Sequence, residues 1–136
     1  MSTSFDRSVP AAWRWFFLVA AVYDIALGLA FLVAGETILE AIGMELPPHI
    51  AYIQLAAIFV LVQGISYLFP WRDAWSSEGI VWVGVAYKAS YAALAAWYLA
   101  MDMLPSTFFI PWAITDLGFL VGFLWFLRLA ARRRAA

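Results

Sequence analysis

The chain has 136 residues, of which 66% are hydrophobic, 18% aromatic and only 12% charged, and its formal net charge is -1. A soluble domain is usually about half apolar and about one quarter charged, and a small domain has too much surface to hide such an apolar excess. The composition therefore excludes a soluble enzyme, a nucleic-acid-binding domain and a disordered segment. The absence of cysteine excludes disulfides and thiol-ligated metals, and the single histidine excludes a bis-histidine haem site.

Four apolar stretches are long enough for helices that cross a membrane, which takes about 20 residues. They run over about 13–33, 50–69, 79–101 and 107–127. Prolines mark their limits, with Pro47 and Pro48 before the second stretch, Pro70 at its end and Pro111 in the first turn of the fourth. No period-two alternation of barrel type is present. The sequence thus predicts an all-α transmembrane four-helix bundle that forms one integral-membrane domain over 1–136.

The first loop, over about 36–46, has apolar residues at helical spacing with Glu36 and Glu40 on another side. This pattern predicts a short helix that lies in the outer membrane interface. The first span is too long for a cleaved secretory signal and contains Asp24, so we expect it to remain a membrane span.

Basic residues are unevenly distributed around the spans, and the first and third loops contain no lysine or arginine. The arginines lie before or at the start of the first span, in the second loop and after the fourth span: Arg7, Arg14, Arg72, Arg128, Arg132, Arg133 and Arg134. The positive-inside rule therefore predicts that both termini are cytoplasmic. The last three arginines are typical of a stop-transfer anchor, and contact with anionic lipid head groups is the alternative.

Three charged residues lie inside the predicted spans, namely Asp24, Lys88 and Asp116. At about 1.5 Å of rise per residue, all three lie roughly 13 to 18 Å from the cytoplasmic end of their spans. A charge in the bilayer centre costs about 2.5–3.5 kcal/mol or more, so such residues face a protein interior and find partners. We therefore expect these three side chains to meet near the midplane.

The neighbours of these charges support a shared interior site. Asp24 lies between Ala20 and Gly28 on one helix face, and Lys88 lies between Gly84 and Ala92 on another, so the backbones can approach there. We expect hydroxyls and an amide to complete the hydrogen bonding, and aromatic rings such as Phe59, Trp112 and Phe119 to wall a slot. The predicted ligand-binding residues are Asp24, Lys88, Asp116, Tyr23, Gln63, Tyr87 and Tyr91.

Lys88 neutralises only one of the two carboxylates. The other is protonated, is bridged by the same lysine or binds a cation. This count favours binding or transport of a small lipophilic or cationic ligand, with protonation coupled to occupancy. The alternative for the charges themselves is a buried network that only fixes the helix register.

Two further functions stay open. One is a structural or assembly subunit of a larger membrane complex. The other is a membrane enzyme acting on a lipid or quinone by acid–base chemistry, although we expect no catalytic residue, metal or cofactor and no nucleic-acid partner. Gly118 and Gly122 lie about 160° from Asp116 at about 100° per residue, which suggests an outward homodimer contact, with packing against a neighbouring helix as the alternative.

The order of landmarks resembles that of small four-span bacterial membrane proteins of the broad DoxX-like kind. The matching segments are short and cover most of the chain between Tyr23 and Leu127: Tyr23-Asp24 with Gly28, Gly43 with Pro47-Pro48, 63–68, 84–88 and 115–117. The resemblance implies a four-helix plan and residence in a bacterial inner membrane. Membrane redox complexes, quinone-related work and sterol-binding or chaperone-like roles are also associated with such proteins, but a chain without cysteine cannot perform their thiol-dependent versions.

Overall fold

The computed structural model describes residues 9–135 and is helical throughout its regular structure, with no strand among these residues. Five helices follow one another along the chain. They are α1 (Ala11–Ala41), α2 (Ala51–Ser66), α3 (Leu68–Arg72), α4 (Glu78–Ala100) and α5 (Ser106–Ala135). Arg7, which contributes to the predicted orientation, lies outside the described residues.

Four helical segments are long and apolar enough to cross a membrane, namely α1, α2 together with α3, α4, and α5. Large apolar side chains such as Val33, Phe59 and Trp125 are exposed on the outside of these helices. A contiguous apolar exterior of this kind is incompatible with water and is normal against lipid acyl chains. The predicted all-α bundle with four candidate membrane spans is therefore confirmed.

The first loop differs from its prediction. α1 does not end near residue 33 but continues to Ala41, with non-helical backbone angles at Ala34 that mark a kink. The predicted helix over 36–46 is thus the last turn and a half of α1, and it stops five residues early. Gly43 causes the stop, because its φ of 74° is a left-handed conformation that closes a helix and that glycine adopts without steric cost.

The prolines also differ from their predicted roles. Pro70 does not end the second span, because it lies in the first turn of α3, where a backbone N–H has no helical acceptor and its absence costs little. The break in this span is instead at Tyr67, between α2 and α3. Pro111 lies in the second turn of α5 rather than the first, and the helix continues through it.

Two glycines bring α1 and α2 into backbone contact. A Cβ atom on Gly28 would lie 2.6 Å from the backbone nitrogen of Leu61, and one on Gly64 would lie 2.6 Å from that of Ile25. Neither backbone can yield, so only glycine allows this approach. α4 packs mainly against α5, and the molecule is thus built from two antiparallel helix pairs, α1 with α2 and α4 with α5.

Aromatic rings join the two pairs near the end of the bundle at which α1 begins and α5 ends. We call this the arginine end, and the other the distal end. Phe17 stacks on Phe123 with centroids 5.9 Å apart, and Tyr67 lies 5.0 Å from the same Phe123 ring. Phe17 and Tyr67 are fully buried, so the core between the pairs is tightly filled at the arginine end.

Candidate functional site

Lys88 bridges the two buried carboxylates. Its ammonium donates to Oδ1 of Asp24 and to Oδ1 of Asp116, and both distances are 2.7 Å. All three side chains are essentially excluded from the surface, with exposed fractions of 0%, 1% and 6% for Asp24, Lys88 and Asp116. The predicted meeting of these charges from α1, α4 and α5 is therefore confirmed.

Small residues make this meeting sterically feasible. Ala20 and Gly28, one turn on either side of Asp24, are buried, as are Gly84 and Ala92 around Lys88. A glycine is favoured at position 84, because a Cβ there would lie 2.8 Å from the ring of Tyr67. The short side chains let the charged groups reach each other across helix interfaces and exclude lipid from the cluster.

Aromatic rings rather than hydroxyls surround the ammonium. The Nζ atom of Lys88 lies 5.1 Å from the ring centroids of Tyr23 and Tyr87 and 5.5 Å from that of Phe119. These distances are typical of cation–π contacts, which strengthen when the cation is desolvated. The expected hydrogen bonding through the Tyr23 hydroxyl is wrong, since this buried group has no partner among the described residues.

One oxygen of the cluster stays without a donor. Oδ2 of Asp24 is buried and accepts no hydrogen bond from any of the residues 9–135. A buried carboxylate oxygen without a donor is costly, by about 1–3 kcal/mol or more for a charged group. The site therefore has an acceptor that no described residue satisfies.

A cavity of about 230 Å³ ends on the charged cluster. Asp24, Lys88 and Asp116 line it on one side, and from there it extends toward Leu39 and Met44 near the distal end. α2 contributes a wall of small and medium residues on one helical face, while α4 and α5 contribute rings. The wall residues are Ile53, Ala56, Ala57, Val60, Tyr87, Tyr91, Phe108, Phe109 and Trp112.

The cavity follows from the pairing of the helices. α2 packs closely on α1 through Gly28 and Gly64 and has no extensive contact with α4 or α5. Toward the arginine end, Tyr67 and Phe123 fill the space between the pairs, whereas Ala56 and Ala57 leave it open on the distal side of the charged cluster. The result is a mostly apolar recess with charges at its inner end, which is the usual character of a small-molecule site.

Not all of the predicted ligand-binding residues line this cavity. Asp24, Lys88, Asp116, Tyr87 and Tyr91 do, and Trp112 forms part of the wall as expected. Tyr23 contacts the ammonium through its ring from outside the cavity.

Two of the residues predicted for the site, both on α2, lie away from the cavity because of the orientation of this helix. Gln63 does not line the cavity, and its buried Nε2 has no partner among the described residues. Phe59 is 72% exposed and does not line it either. Gln54, the other glutamine of α2, does not line the cavity and donates to the backbone oxygen of Leu32 at 3.3 Å.

Tyr67 is the residue near the site that the sequence analysis did not single out. It is fully buried, and its hydroxyl has no hydrogen-bond partner within residues 9–135. A Cβ on Gly84, one turn before Lys88, would lie 2.9 Å from this hydroxyl. The feature of the sequence that could have indicated Tyr67 is Gly84, because a glycine one turn before Lys88 leaves room for a large side chain from another helix.

Gly122 does not lie on an outward face with Gly118. A Cβ on Gly122 would collide with the ring of Phe16 in α1, whereas Gly118 is exposed and a Cβ there would meet no described atom within 4 Å beyond its own helix backbone. The expectation that both glycines point away from the bundle is therefore wrong for Gly122, and packing within the chain accounts for it. A homodimer stays a prediction without support from this glycine.

The described part of the chain contains no group of three or more histidine, aspartate or glutamate side chains placed to hold a metal ion. The functional groups at the site are two carboxylates, one ammonium and aromatic rings. Comparison of the chain with models of protein families, with curated proteins and with solved structures finds no match.

Proposed function

We propose that the cavity binds a small molecule with an apolar body and a cationic or hydrogen-bond-donating head. The observation that carries this proposal is the buried Oδ2 of Asp24, an acceptor without a donor among residues 9–135, at the polar end of an apolar cavity. A donor on the ligand would satisfy this oxygen, and the rings of Tyr91 and Trp112 would contact the apolar body.

The charge of the cluster favours the same class of ligand. With all three groups ionised, two carboxylates and one ammonium carry one negative charge in excess. A cationic head or a proton would balance this charge in a low-dielectric interior. Both compete for the same carboxylates, so we propose that ligand occupancy is coupled to protonation and that binding of a cation weakens as the pH falls.

The volume of the cavity limits the size of the ligand. Drug-sized ligands usually occupy about 300–1,000 Å³, and a cavity of about 150 Å³ already holds benzene. A volume of about 230 Å³ therefore suits a compact molecule, such as an aromatic amine with a short alkyl chain.

Binding is better supported than transport. The stacked rings of Phe17 and Phe123 and the buried Tyr67 close the interior between the cavity and the arginine end. Passage across the membrane would require these rings to separate. In this conformation the cavity is a dead end that extends toward the distal end.

The test compares three probes of nearly equal shape, namely phenylbutylamine, phenylbutanol and phenylbutyrate. Binding to the purified protein in a mild detergent is measured by calorimetry and by the shift in melting temperature, at several pH values. We expect the amine to bind best, the alcohol less tightly and the carboxylate not at all. The affinity for the amine should fall as the pH is lowered.

Two variants locate the binding. Asp24→Asn removes the charge of the carboxylate that has an unpaired oxygen. It should lower the affinity for the amine at least about tenfold, or by about 1.4 kcal/mol. Asp102→Asn is the matched control, since Asp102 is exposed in the α4–α5 loop and does not line the cavity. Equal affinity in both variants, or preference for the carboxylate probe, would contradict the proposal.

The setting of this function is proposed on sequence grounds. The arginine distribution supports cytoplasmic termini, which would make the distal end the outer side of the membrane. The short matching segments support kinship with DoxX-like proteins and a bacterial inner membrane. Both stay predictions, and a cysteine-accessibility scan of the two ends would test the orientation.

A further inference from the structure

A second recess lies at the arginine end, on the opposite side of the aromatic core from the cavity. It is formed where α1 begins, α3 ends, α4 begins and α5 ends, and its volume is about 780 Å³. Four arginines line it, namely Arg14, Arg72, Arg133 and Arg134. Chain segments far apart in sequence thus bring their basic side chains to one place.

The recess carries an excess of positive charge. Among residues 9–135, two carboxylates, those of Asp73 and Glu78, line it beside the four arginines, so the described lining carries two more positive than negative charges. Glu78 is paired with Arg134. Arg14 and Arg72 form no ion pair with any described residue.

Asp73 is already engaged by its own loop. It accepts hydrogen bonds from the Ser76 hydroxyl at 2.6 Å and from the Ser76 backbone nitrogen at 3.3 Å. These bonds lower the pKa of Asp73, so this carboxylate is ionised and held at the α3–α4 turn. Its position is fixed by the turn rather than by pairing with Arg72.

Trp75, which also lines the recess, carries a donor without an acceptor among the described residues. Its ring stacks on Phe126 with centroids 5.1 Å apart, and the guanidinium carbon of Arg133 lies 4.6 Å from its centroid. The indole N–H is buried and has no acceptor among residues 9–135. A buried N–H without an acceptor is costly, and an anion in the recess would supply one.

We propose that this recess binds the phosphate group of an anionic ligand, through the guanidinium groups of Arg14 and Arg72 and the indole N–H of Trp75. Guanidinium groups form charge-assisted and often bidentate hydrogen bonds with phosphate oxygens. Basic pockets at the ends of membrane helices bind the head groups of acidic phospholipids in this way. The inference does not depend on the function of the cavity, with which the recess shares no lining residue.

The phosphate has two sources, a phospholipid head group and free phosphate, and two arms of the experiment distinguish them. In the first arm, short-chain phosphatidylglycerol or phosphatidylcholine is added to the delipidated protein, and bound lipid is measured by native mass spectrometry. In the second arm, inorganic phosphate is added, and displacement of the phosphatidylglycerol and the shift in melting temperature are measured. Preference for phosphatidylglycerol without displacement assigns a lipid head group, whereas displacement assigns a site that also accepts free phosphate.

Matched charge variants decide whether the recess is responsible. The double variant Arg14→Gln/Arg72→Gln should weaken phosphatidylglycerol binding at least about tenfold, because two charge-assisted contacts are lost. The control Arg128→Gln/Arg132→Gln removes the same charge from exposed arginines that do not line the recess, and it should change binding less than about twofold.

A milder variant keeps the proposal testable if the double variant does not fold. Trp75→Phe retains an aromatic ring near Phe126 and removes the indole N–H together with part of the ring, and we expect it to weaken binding severalfold without a change in net charge. Equal binding of phosphatidylglycerol and phosphatidylcholine, with no effect of inorganic phosphate, would overturn the proposal. An equal loss of phosphatidylglycerol binding in the recess double variant and in the control double variant would also overturn it.

Discussion

Replacement of Lys88 by methionine probes the central cluster most severely. Lys88 makes two ion pairs of 2.7 Å and is the only cation that contacts Asp24 and Asp116 among the described residues. Methionine has nearly the same length and is apolar, so Lys88→Met removes the charge and leaves the packing nearly intact. The two carboxylates then remain buried without a counter-charge.

The expected loss of stability follows because the removal of one partner of a buried ion pair costs more than the removal of both. Removal of one partner from a buried pair usually costs about 3–5 kcal/mol, because an uncompensated charge remains in a low-dielectric interior. Neutralisation of all partners together is often nearly neutral. We therefore expect Lys88→Met to lower the free energy of unfolding by about 3–5 kcal/mol.

The triple variant Asp24→Leu/Lys88→Met/Asp116→Leu, in which apolar side chains of similar volume replace all three charges, supplies the internal control. It removes both carboxylate charges as well, so it should regain most of the stability lost in Lys88→Met, despite carrying two more substitutions. The free energy of unfolding of the three proteins is measured by reversible denaturation in mixed micelles at neutral pH. A Lys88→Met protein within about 1 kcal/mol of wild type, or a triple variant less stable than the single one, would show that the charges do not stabilise one another in this way.

Three further substitutions test the packing, the cavity and the α3–α4 turn. Gly64→Ala should destabilise the protein by about 1–3 kcal/mol in chemical denaturation because its Cβ would meet the backbone of Ile25, whereas Gly118→Ala, with open space around it, should be neutral or stabilising by up to about 1 kcal/mol. Ala57→Phe should fill the cavity and abolish phenylbutylamine binding in calorimetry without touching a charge, and unchanged affinity would show that the probe binds elsewhere. Asp73→Asn should be slightly less stable at neutral pH in thermal unfolding. Since the pKa of Asp73 is lower in the folded state, that difference should shrink below about pH 4, and a difference that grows in acid would contradict the assignment.

The fold was largely predictable because the membrane restricts the available structures. Apolar stretches of about 20 residues indicate spanning helices without knowledge of tertiary contacts. What the hydropathy pattern does not contain is backbone detail within a helix. The kink at Ala34, the break at Tyr67 and the continuation of the helix past Pro70 depend on local geometry and on neighbouring helices.

The meeting of the charges was predictable for a similar reason. Asp24, Lys88 and Asp116 lie at similar depths, and each must avoid lipid, so convergence follows from energy and helix rise alone. The directions of individual side chains do not follow, because a helical-wheel angle has meaning only relative to a neighbouring helix. Gly122, placed outward by its angle to Asp116, instead contacts Phe16 of α1 on the flank of α5.

The cavity itself was not predictable from residue types. Its wall on α2, with Ala56 and Ala57 facing the rings of Tyr91 and Trp112, exists because α2 packs on α1 and away from α4 and α5. The same rings would fill a core if the two helix pairs were closer. Only the arrangement of the pairs decides between a filled interior and a recess that holds a ligand.

Photolabelling can locate a bound amine within the protein directly. A phenylbutylamine derivative that carries a photoreactive diazirine is bound, irradiated and mapped by peptide mass spectrometry, with excess phenylbutylamine as competitor. We expect labels on cavity residues such as Tyr91 and Trp112, which the competitor suppresses. Labels confined to exposed lipid-facing residues such as Leu55 and Phe59, insensitive to the competitor, would contradict the claim that the cavity beside Asp24 is a binding site.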